Sequence, residues 1–320
     1  MSSNLRLRWL ALGFALAAFA SPAAALDKVK AGTAVAGVFT FTPLDIGMEK
    51  GIFQKNGMEL EISAMRGDAQ LQQGLAAGSI DFALGSGPGL AFIAKGVPAK
   101  GVAAFALEPR NLALVVPLNS PIKAKTDLKG KKLAVTTAGS LTDWLVRENA
   151  RQQGWGPEGT TPVPLGAPQS SIAAMKTGQV DGILIATELG YAMEAKGEGK
   201  LLFTYGDIAK DFHTHIIYAR DELIAKNKDL VRRFVKSFFE TVAFMNANKP
   251  ETVKIAAKAM NLDEAIISRT YDEEMSMLSK DGVFLPKAMD TLVRSWVELG
   301  ILTEKPDLAK MIDTEFVPPR

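Results

Sequence analysis

The stretch "GSIDFALGSGPGLAFIAKG", residues 78–96, passes from a strand-like run to a helix-like run through a glycine-rich loop. The apolar run at 80–84 has the length of a buried strand, and an apolar helical pattern begins at Gly89. Two further strand–helix pairs stand upstream, at 29–35 with 42–50 and at 58–63 with 69–77. This alternation predicts an α/β protein with a mostly parallel sheet and crossover helices.

A second copy of the pattern follows. The segment "LAAGSIDFALGSGPG" at 75–89 matches "MKTGQVDGILIATELG" at 175–190, so that Gly78 and Asp81 correspond to Gly178 and Asp181 at a distance of 100 residues. In both copies a helix ends at glycine, and an aspartate precedes an apolar strand. The repeat predicts two lobes of one βα design. The alternative is that a common helix-to-strand turn occurs twice by chance.

The first 25 residues have the features of a secretory signal peptide. Arg6 and Arg8 precede an apolar run at 10–20, and Ala23-Ala24-Ala25 supplies small residues for cleavage. An uncleaved membrane anchor is the alternative, whereas a lipoprotein anchor would need a cysteine and the chain has none. We therefore expect export to the periplasm, with cleavage near Ala25.

The domain boundaries follow from the repeat and from the β-like runs at 111–118 and 214–219, which are candidates for the two connections between lobes. We predict lobe I at 26–110 plus 221–320, and lobe II at 111–220. The part after 221 is helical: apolar residues recur at helical spacing over 229–245, and further helices are expected at 262–279 and 287–299.

Composition excludes several classes of protein. Removal of Arg6 and Arg8 reduces the 37 basic residues to 35, equal to the 35 acidic residues. A formally neutral chain argues against nucleic acid as a partner and against a polybasic membrane surface. The absence of cysteine excludes disulfides, thiolate metal sites and cysteine nucleophiles.

Motifs for catalysis are also missing. The two histidines, His213 and His215, would face one side of a strand, but no carboxylates stand at metal-ligand spacing around them. There is no Gly-x-Ser-x-Gly elbow, Walker loop or dinucleotide fingerprint. Ser120 and Lys123 match Ser-x-x-Lys only formally, within a proline-containing link. We predict no metal, no cofactor and no enzymatic activity.

The strand-to-helix loops remain as the candidate binding site. Ligands of parallel α/β sheets bind at the carboxyl ends of the strands, and helix N-termini favour anions. Each loop taken singly could equally be an ordinary helix cap. Two opposed loop sets predict ligand contacts from fourteen residues: Val38, Phe39, Thr40, Arg66, Gly67, Ser86, Gly87 and Pro88 in lobe I, and Gly139, Ser140, Thr142, Gln169, Thr187 and Glu188 in lobe II.

Three segments carry a resemblance to a known family. "PLDIGMEKGIFQKNGMELEI", "LAAGSIDFALGSGPGLAFIAKGVPAKGVAA" and "SPIKAKTDLKGKKLAV" resemble the nitrate/sulfonate/taurine-type substrate-binding proteins of ABC importers, which include binders of thiamine-pyrimidine precursors. The resemblance implies the two-lobe periplasmic-binding-protein fold (type II), each lobe a mostly parallel sheet flanked by helices, with an extra C-terminal helical segment on lobe I. It also implies a ligand in the cleft, an ABC permease and its ATPase as partners.

One position departs from the family pattern. Where members often have Trp-Glu-Pro, this chain has Thr187-Glu188-Leu189, so the aromatic residue is lost. We expect a monomeric, extracytoplasmic binder that closes on a small, anionic organic solute. One alternative is an enzyme on the same scaffold, with Asp68 or Glu188 acting with His213. The other is a sensory binding protein that presents its closed form to a receptor.

Overall fold

The computed structural model describes residues 25–156 and 158–317, so that the predicted signal peptide, apart from Ala25, lies outside the described residues. The described chain forms two sheets of five strands each. The strands, in chain order, are β1 (Asp27–Thr33), β2 (Met58–Ala64), β3 (Phe82–Ser86), β4 (Ala99–Ala106), β5 (Leu112–Val116), β6 (Lys132–Val135), β7 (Thr161–Pro164), β8 (Gly182–Ala186), β9 (Lys200–Thr204) and β10 (His215–Arg220).

The helices separate the strands and extend the chain after β10. They are α1 (Pro43–Glu49), α2 (Ile52–Lys55), α3 (Asp68–Ala76), α4 (Leu90–Ala94), α5 (Leu141–Gln152), α6 (Pro168–Lys176), α7 (Thr187–Ala195), α8 (Asp221–Lys226), α9 (Lys228–Ala247), α10 (Lys249–Met260), α11 (Glu264–Glu274) and α12 (Pro286–Glu298). None of the helices in these described ranges is long and apolar enough to cross a membrane.

The two sheets have the same strand order. The first is β2-β1-β3-β10-β4 and the second is β7-β6-β8-β5-β9. In each sheet the fourth strand runs antiparallel to its neighbours, and the first three strands are parallel. The prediction of α/β lobes with mostly parallel sheets is therefore confirmed, with one antiparallel strand in each sheet.

The antiparallel strands correct one predicted boundary. The prediction that 214–219 forms a strand is confirmed, but β10 hydrogen-bonds to β3 and β4 of the first sheet. Lobe II therefore cannot extend to residue 220 as predicted, because the chain has already returned to the first sheet at His215. A strand that follows lobe II in sequence completes lobe I, a long-range pairing that local sequence patterns do not show.

The repeated glycine–aspartate motif has the same role in both lobes. Gly78 and Gly178 follow helices with φ of +68° and +73°, a left-handed conformation that suits glycine. Asp81 Oδ2 accepts a hydrogen bond from the backbone N–H of Lys30 at 3.0 Å, and Asp181 Oδ2 accepts one from Lys132 at 2.8 Å. Asp81 thus ties its turn to β1, and Asp181 ties its turn to β6, the strand at the corresponding position of the second sheet.

The C-terminal helices pack chiefly on the first lobe. The predicted helix at 229–245 is α9, whose buried face includes Phe234 and Phe238. The rings of Phe234 and Phe82 of β3 stack with centroids 3.9 Å apart. The predicted helix at 262–279 is shorter, because α11 ends at Glu274 and a 3₁₀ turn follows. Helix α11 also contacts α7 of the second lobe, so the C-terminal segment touches both lobes.

Candidate functional site

A cavity lies between the two sheets, at the ends where their parallel strands run into helices. The volume of the cavity is about 80 Å³, which is more than a single water molecule needs. The apolar and glycine or proline residues of its wall are Ala34, Val35, Val38, Phe41, Gly67, Leu112, Leu141, Gly166, Pro168, Leu184, Ile185 and Ala186. The polar ones are Asp68, Ser86, Asn111, Thr136, Thr142, Ser171 and His215.

Four of the predicted contact residues line this cavity. They are Val38, Gly67 and Ser86 from the first lobe and Thr142 from the second. The structure therefore brings loops of both lobes to one space, although only part of each predicted loop reaches it. The role of these four residues as ligand contacts stays a prediction.

The glycine-rich loop at 85–89 has mainly a structural role. Ser86 donates its backbone N–H to Asp68 Oδ1 at 2.8 Å, and its hydroxyl accepts the N–H of Gly89 at 3.3 Å. A Cβ added to Gly87 would lie 2.0 Å from the carbonyl oxygen of His213. The missing side chain at Gly87 therefore lets two backbone segments meet, and Ser86 is the residue of this loop that faces the cavity.

The other predicted residues of lobe I lie away from the cavity wall. Phe39 and Thr40 are buried beside the C-terminal helices, and the ring of Phe39 contacts the edge of Tyr271. Arg66 is exposed, and its backbone N–H donates to Gln70 Oε1. Gly87 and Pro88 pack inside the lobe.

The remaining predicted residues of lobe II are also outside the wall. The hydroxyl of Ser140 accepts the N–H of Asp143 and so begins α5 as an N-cap. Gly139 is half-buried, Gln169 is exposed, and Thr187 and Glu188 are fully buried. These residues shape the turns around the cavity without lining it.

The predicted contacts omit five polar residues of the wall, Asp68, Asn111, Thr136, Ser171 and His215. Two of them, Asn111 and His215, contact each other, with Asn111 Nδ2 3.0 Å from His215 Nε2. Both stand where the chain crosses between lobes: Asn111 immediately precedes β5, and His215 begins β10. Because β10 runs antiparallel to β3, its first residue lies beside Ser86, the last residue of β3. A polar residue next to the start of a strand that follows a crossing between the lobes is the sequence feature that could have identified them.

The ring of His215 is fixed and uncharged. It lies between Phe41 and Phe105, with centroid distances of 4.9 Å and 5.5 Å. Burial lowers the pKa of His215 to about 3, because the imidazolium form would lose its hydration. The side chain is therefore a neutral hydrogen-bonding group at ordinary pH.

A second buried group, the Glu188–Glu274 pair, joins the lobes. Glu188 at the start of α7 accepts the N–H of Phe39 at 2.9 Å, and Glu274 at the end of α11 accepts the hydroxyl of Thr40 at 3.3 Å. The two carboxyl groups are close enough for each to affect the pKa of the other. Burial raises the pKa of Glu188 to about 7, and burial together with the charge of Glu188 raises the pKa of Glu274 well above its usual range. Burial therefore favours protonation of the pair, and the bond from Phe39 to Glu188 joins lobe II to the first lobe.

Of the three residues named in the enzyme alternative, Asp68 lines the cavity, whereas Glu188 and His213 do not. Glu188 lies in the pair with Glu274. His213 Nε2 accepts the backbone N–H of Leu285 at 2.8 Å, and burial lowers the pKa of His213 to about 4. Among the described residues, no group of three or more His, Cys, Asp or Glu side chains could hold a metal ion.

Comparison with known proteins gives the family. A family model described as "NMT1/THI5 like" matches residues 38–253. A protein of Brucella abortus (strain 2308), named as a binding protein, is 28% identical over 256 residues, which cover 79% of this chain and 77% of that protein. A protein of Bacillus subtilis (strain 168), named for binding aliphatic sulfonates, is 24% identical over 285 residues, covering 87% and 84%.

A solved structure supports the architecture. The alkanesulfonate-binding protein SsuA of Xanthomonas axonopodis pv. citri, bound to MOPS, superposes with a TM-score of 0.78 at 18% identity and covers 91% of this chain and 100% of that chain. At this identity the likeness establishes the fold alone. The sequence match and the two interlinked sheets agree: this chain belongs to the NMT1/THI5-like family and has the two-lobe fold of periplasmic binding proteins.

Proposed function

We propose that this chain is the extracytoplasmic solute-binding component of an ABC importer. The observation that carries the proposal is the cavity between the sheets, to which both lobes contribute wall residues such as Ser86 and Thr142. A site divided between two lobes binds most tightly when the lobes are closed, so binding shifts an open–closed equilibrium. The closed form would then be recognised by a membrane permease with its ATPase.

The site has the properties of a binding pocket for a small organic molecule. Apolar side chains such as Val35, Phe41 and Leu184 form much of its wall, with a few polar groups between them. This is the usual composition of small-molecule sites. A change from mostly open to mostly closed lobes needs about 5.5 kcal/mol of differential affinity, which several hydrogen bonds and apolar contacts can supply.

Export and oligomeric state complete the proposal. The predicted signal peptide at 1–25 would deliver the protein to the periplasm, and we propose that it acts there as a monomer. The anionic solute predicted from helix N-termini agrees with the name of the sulfonate-binding relative, but the charges around the cavity argue against it.

Recovery of the bound solute tests the proposal. The mature protein, 26–320, would be incubated with a deproteinised extract of small metabolites, washed, and analysed by native mass spectrometry before and after denaturation. We expect one small molecule per chain, released unchanged. A solute released in chemically altered form would favour the enzyme alternative, and no bound molecule from any extract would contradict the proposal.

A further inference from the structure

The described wall of the cavity contains no cationic side chain. No lysine or arginine lines it, and His215, which could carry a positive charge, is held neutral by burial. The one ionisable acid in the wall, Asp68, is 5% exposed and lies on the first-lobe side. An anion in this cavity would have to be desolvated next to a carboxyl group with no opposite charge to pair with, which is unfavourable.

The helix N-termini at the cavity already have acidic partners of their own. Asp68 is the first residue of α3, and its Oδ1 accepts the N–H of Ser86. At α5 the carboxylate of Asp143 lies in the first turn and accepts the N–H of Gly139 at 2.8 Å. The partial positive charges that would attract a bound anion are thus largely offset within the protein. At α6 the first residue is Pro168, which has no N–H to offer.

Asn111 is a residue of the cavity wall, and its amide group is incompletely hydrogen-bonded. Asn111 Nδ2 lies 3.0 Å from Thr40 Oγ1 and 3.0 Å from His215 Nε2. Thr40 donates its hydroxyl hydrogen to Glu274 and accepts a hydrogen bond from Asn111 Nδ2. Asn111 is 1% exposed and its Oδ1 has no partner among the described residues. A buried acceptor without a partner is costly, so a ligand that supplies a donor there gains affinity.

We propose that the solute is uncharged and is recognised through an N–H or O–H group that it donates to Asn111 Oδ1, with the rest of the molecule against the apolar wall. This inference rests on the proposed solute-binding function and specifies the chemical class of its ligand. An amide, amine heterocycle or alcohol fits this class, whereas a sulfonate or carboxylate does not.

Matched pairs of probe molecules distinguish an uncharged ligand from an anionic one. Thermal-shift and calorimetric titrations of the mature protein would compare benzamide with benzoate and methanesulfonamide with methanesulfonate, since the members of each pair are similar in shape and differ in charge. We expect the uncharged member of at least one pair to bind and to bind about tenfold or more tightly than its charged partner, the effect of one buried hydrogen bond. Tighter binding of the charged members overturns the inference and leaves the solute-binding function standing.

Two variants assign the effect to the residue. Asn111→Leu removes the acceptor, and Asn149→Leu is a matched control because Asn149 is also buried, has no side-chain partner among the described residues, and is not among the residues that line the cavity. We expect Asn111→Leu to weaken the binding of the uncharged probe about tenfold and Asn149→Leu to leave it unchanged. Equal effects in both variants overturn the inference. If no probe binds, the solute recovered by mass spectrometry decides, and an oxyanion as its polar group overturns the inference.

Discussion

The two lobes contain the same pair of turns but place their buried carboxyl groups differently. Helices α3 and α6 begin at Asp68 and Pro168, and Pro88 and Glu188 stand two residues after the ends of β3 and β8, each pair 100 residues apart. Asp68 lines the cavity and bonds within its own lobe, whereas Glu188 reaches Phe39 and Glu274 across the lobe boundary. Each lobe thus has one buried acid at one of two corresponding turns.

The difference shows how a duplicated backbone supports two roles. Strand and helix bounds repeat at the same spacing, since β3 and β8, like α3 and α6, are shifted by 100 residues. The side chains at the turns are under no such constraint, because a turn fixes backbone conformation and leaves its exposed or cavity-facing groups free to differ. Asp68 lines the cavity, and Glu188 joins the two lobes.

The largest effect on stability is expected at Gly87, where there is no space for a side chain, although the corresponding position in lobe II is Thr187. Gly87→Ala should lower the free energy of unfolding by about 3 kcal/mol or more, because the added Cβ would lie 2.0 Å from a backbone carbonyl that cannot move like a side chain. Urea-induced unfolding of the variant and the unmodified protein measures this difference in free energy. Gly74→Ala is the control, because its Cβ would approach only side chains, at 3.2 Å and beyond, and alanine favours the helix. Equal loss in both would contradict this account of Gly87.

The second-largest effect is the pH dependence of stability that Glu188, the acid that connects the lobes, is expected to cause. A pKa raised on folding means that the folded state holds its proton more tightly than the unfolded chain. The stability from the Glu188–Glu274 pair is therefore complete below about pH 4.5 and is lost as the pH rises through about 7. A tenfold difference in proton affinity between the folded and unfolded states corresponds to about 1.4 kcal/mol, so we expect a loss of about 2–3 kcal/mol in unfolding free energy between about pH 5 and about pH 8.

Glu188→Gln tests this explanation directly. The neutral side chain cannot repel Glu274 or lose a proton, so unfolding free energies should depend much less on pH than in the unmodified protein. Glu304→Gln is the matched control, since Glu304 is exposed, and it should retain the full dependence. A Glu188→Gln variant with undiminished pH dependence would show that other groups are responsible.

The smallest effect on stability is expected at the glycine–aspartate motif that the two lobes share. Asp81 and Asp181 each accept a backbone N–H, but Asp81 also pairs with Arg220 of β10 at 2.7 Å. Asp81→Ala should cost about 2 kcal/mol and Asp181→Ala about 1 kcal/mol, because only the first also removes an ion pair from a half-buried arginine, which keeps Glu222 as its other partner. Chemical denaturation of the two variants measures the difference, and a larger loss at Asp181 would contradict it.

The sequence predicts more of the fold than of the candidate site. Hydrophobic periodicity and the Gly-x-[Ile/Val]-Asp repeat act through neighbouring residues, so the α/β lobes and α9 were accessible from sequence. The position of β10 and the wall residues Asn111 and His215 depend on which strands pair across about a hundred residues, a choice made by tertiary packing. The four predicted contacts that line the cavity, Val38, Gly67, Ser86 and Thr142, could be found because they stand between or at the ends of strands and helices, which are local features of the sequence.

A crystal structure of the mature protein with the recovered solute would show where the solute binds. We expect one unaltered solute between the two sheets, in contact with Ser86 and Thr142 from opposite lobes and within hydrogen-bond distance of Asn111 Oδ1. A solute bound on the outer surface of either lobe, or an empty cavity in crystals of a complex known to be saturated, would contradict it.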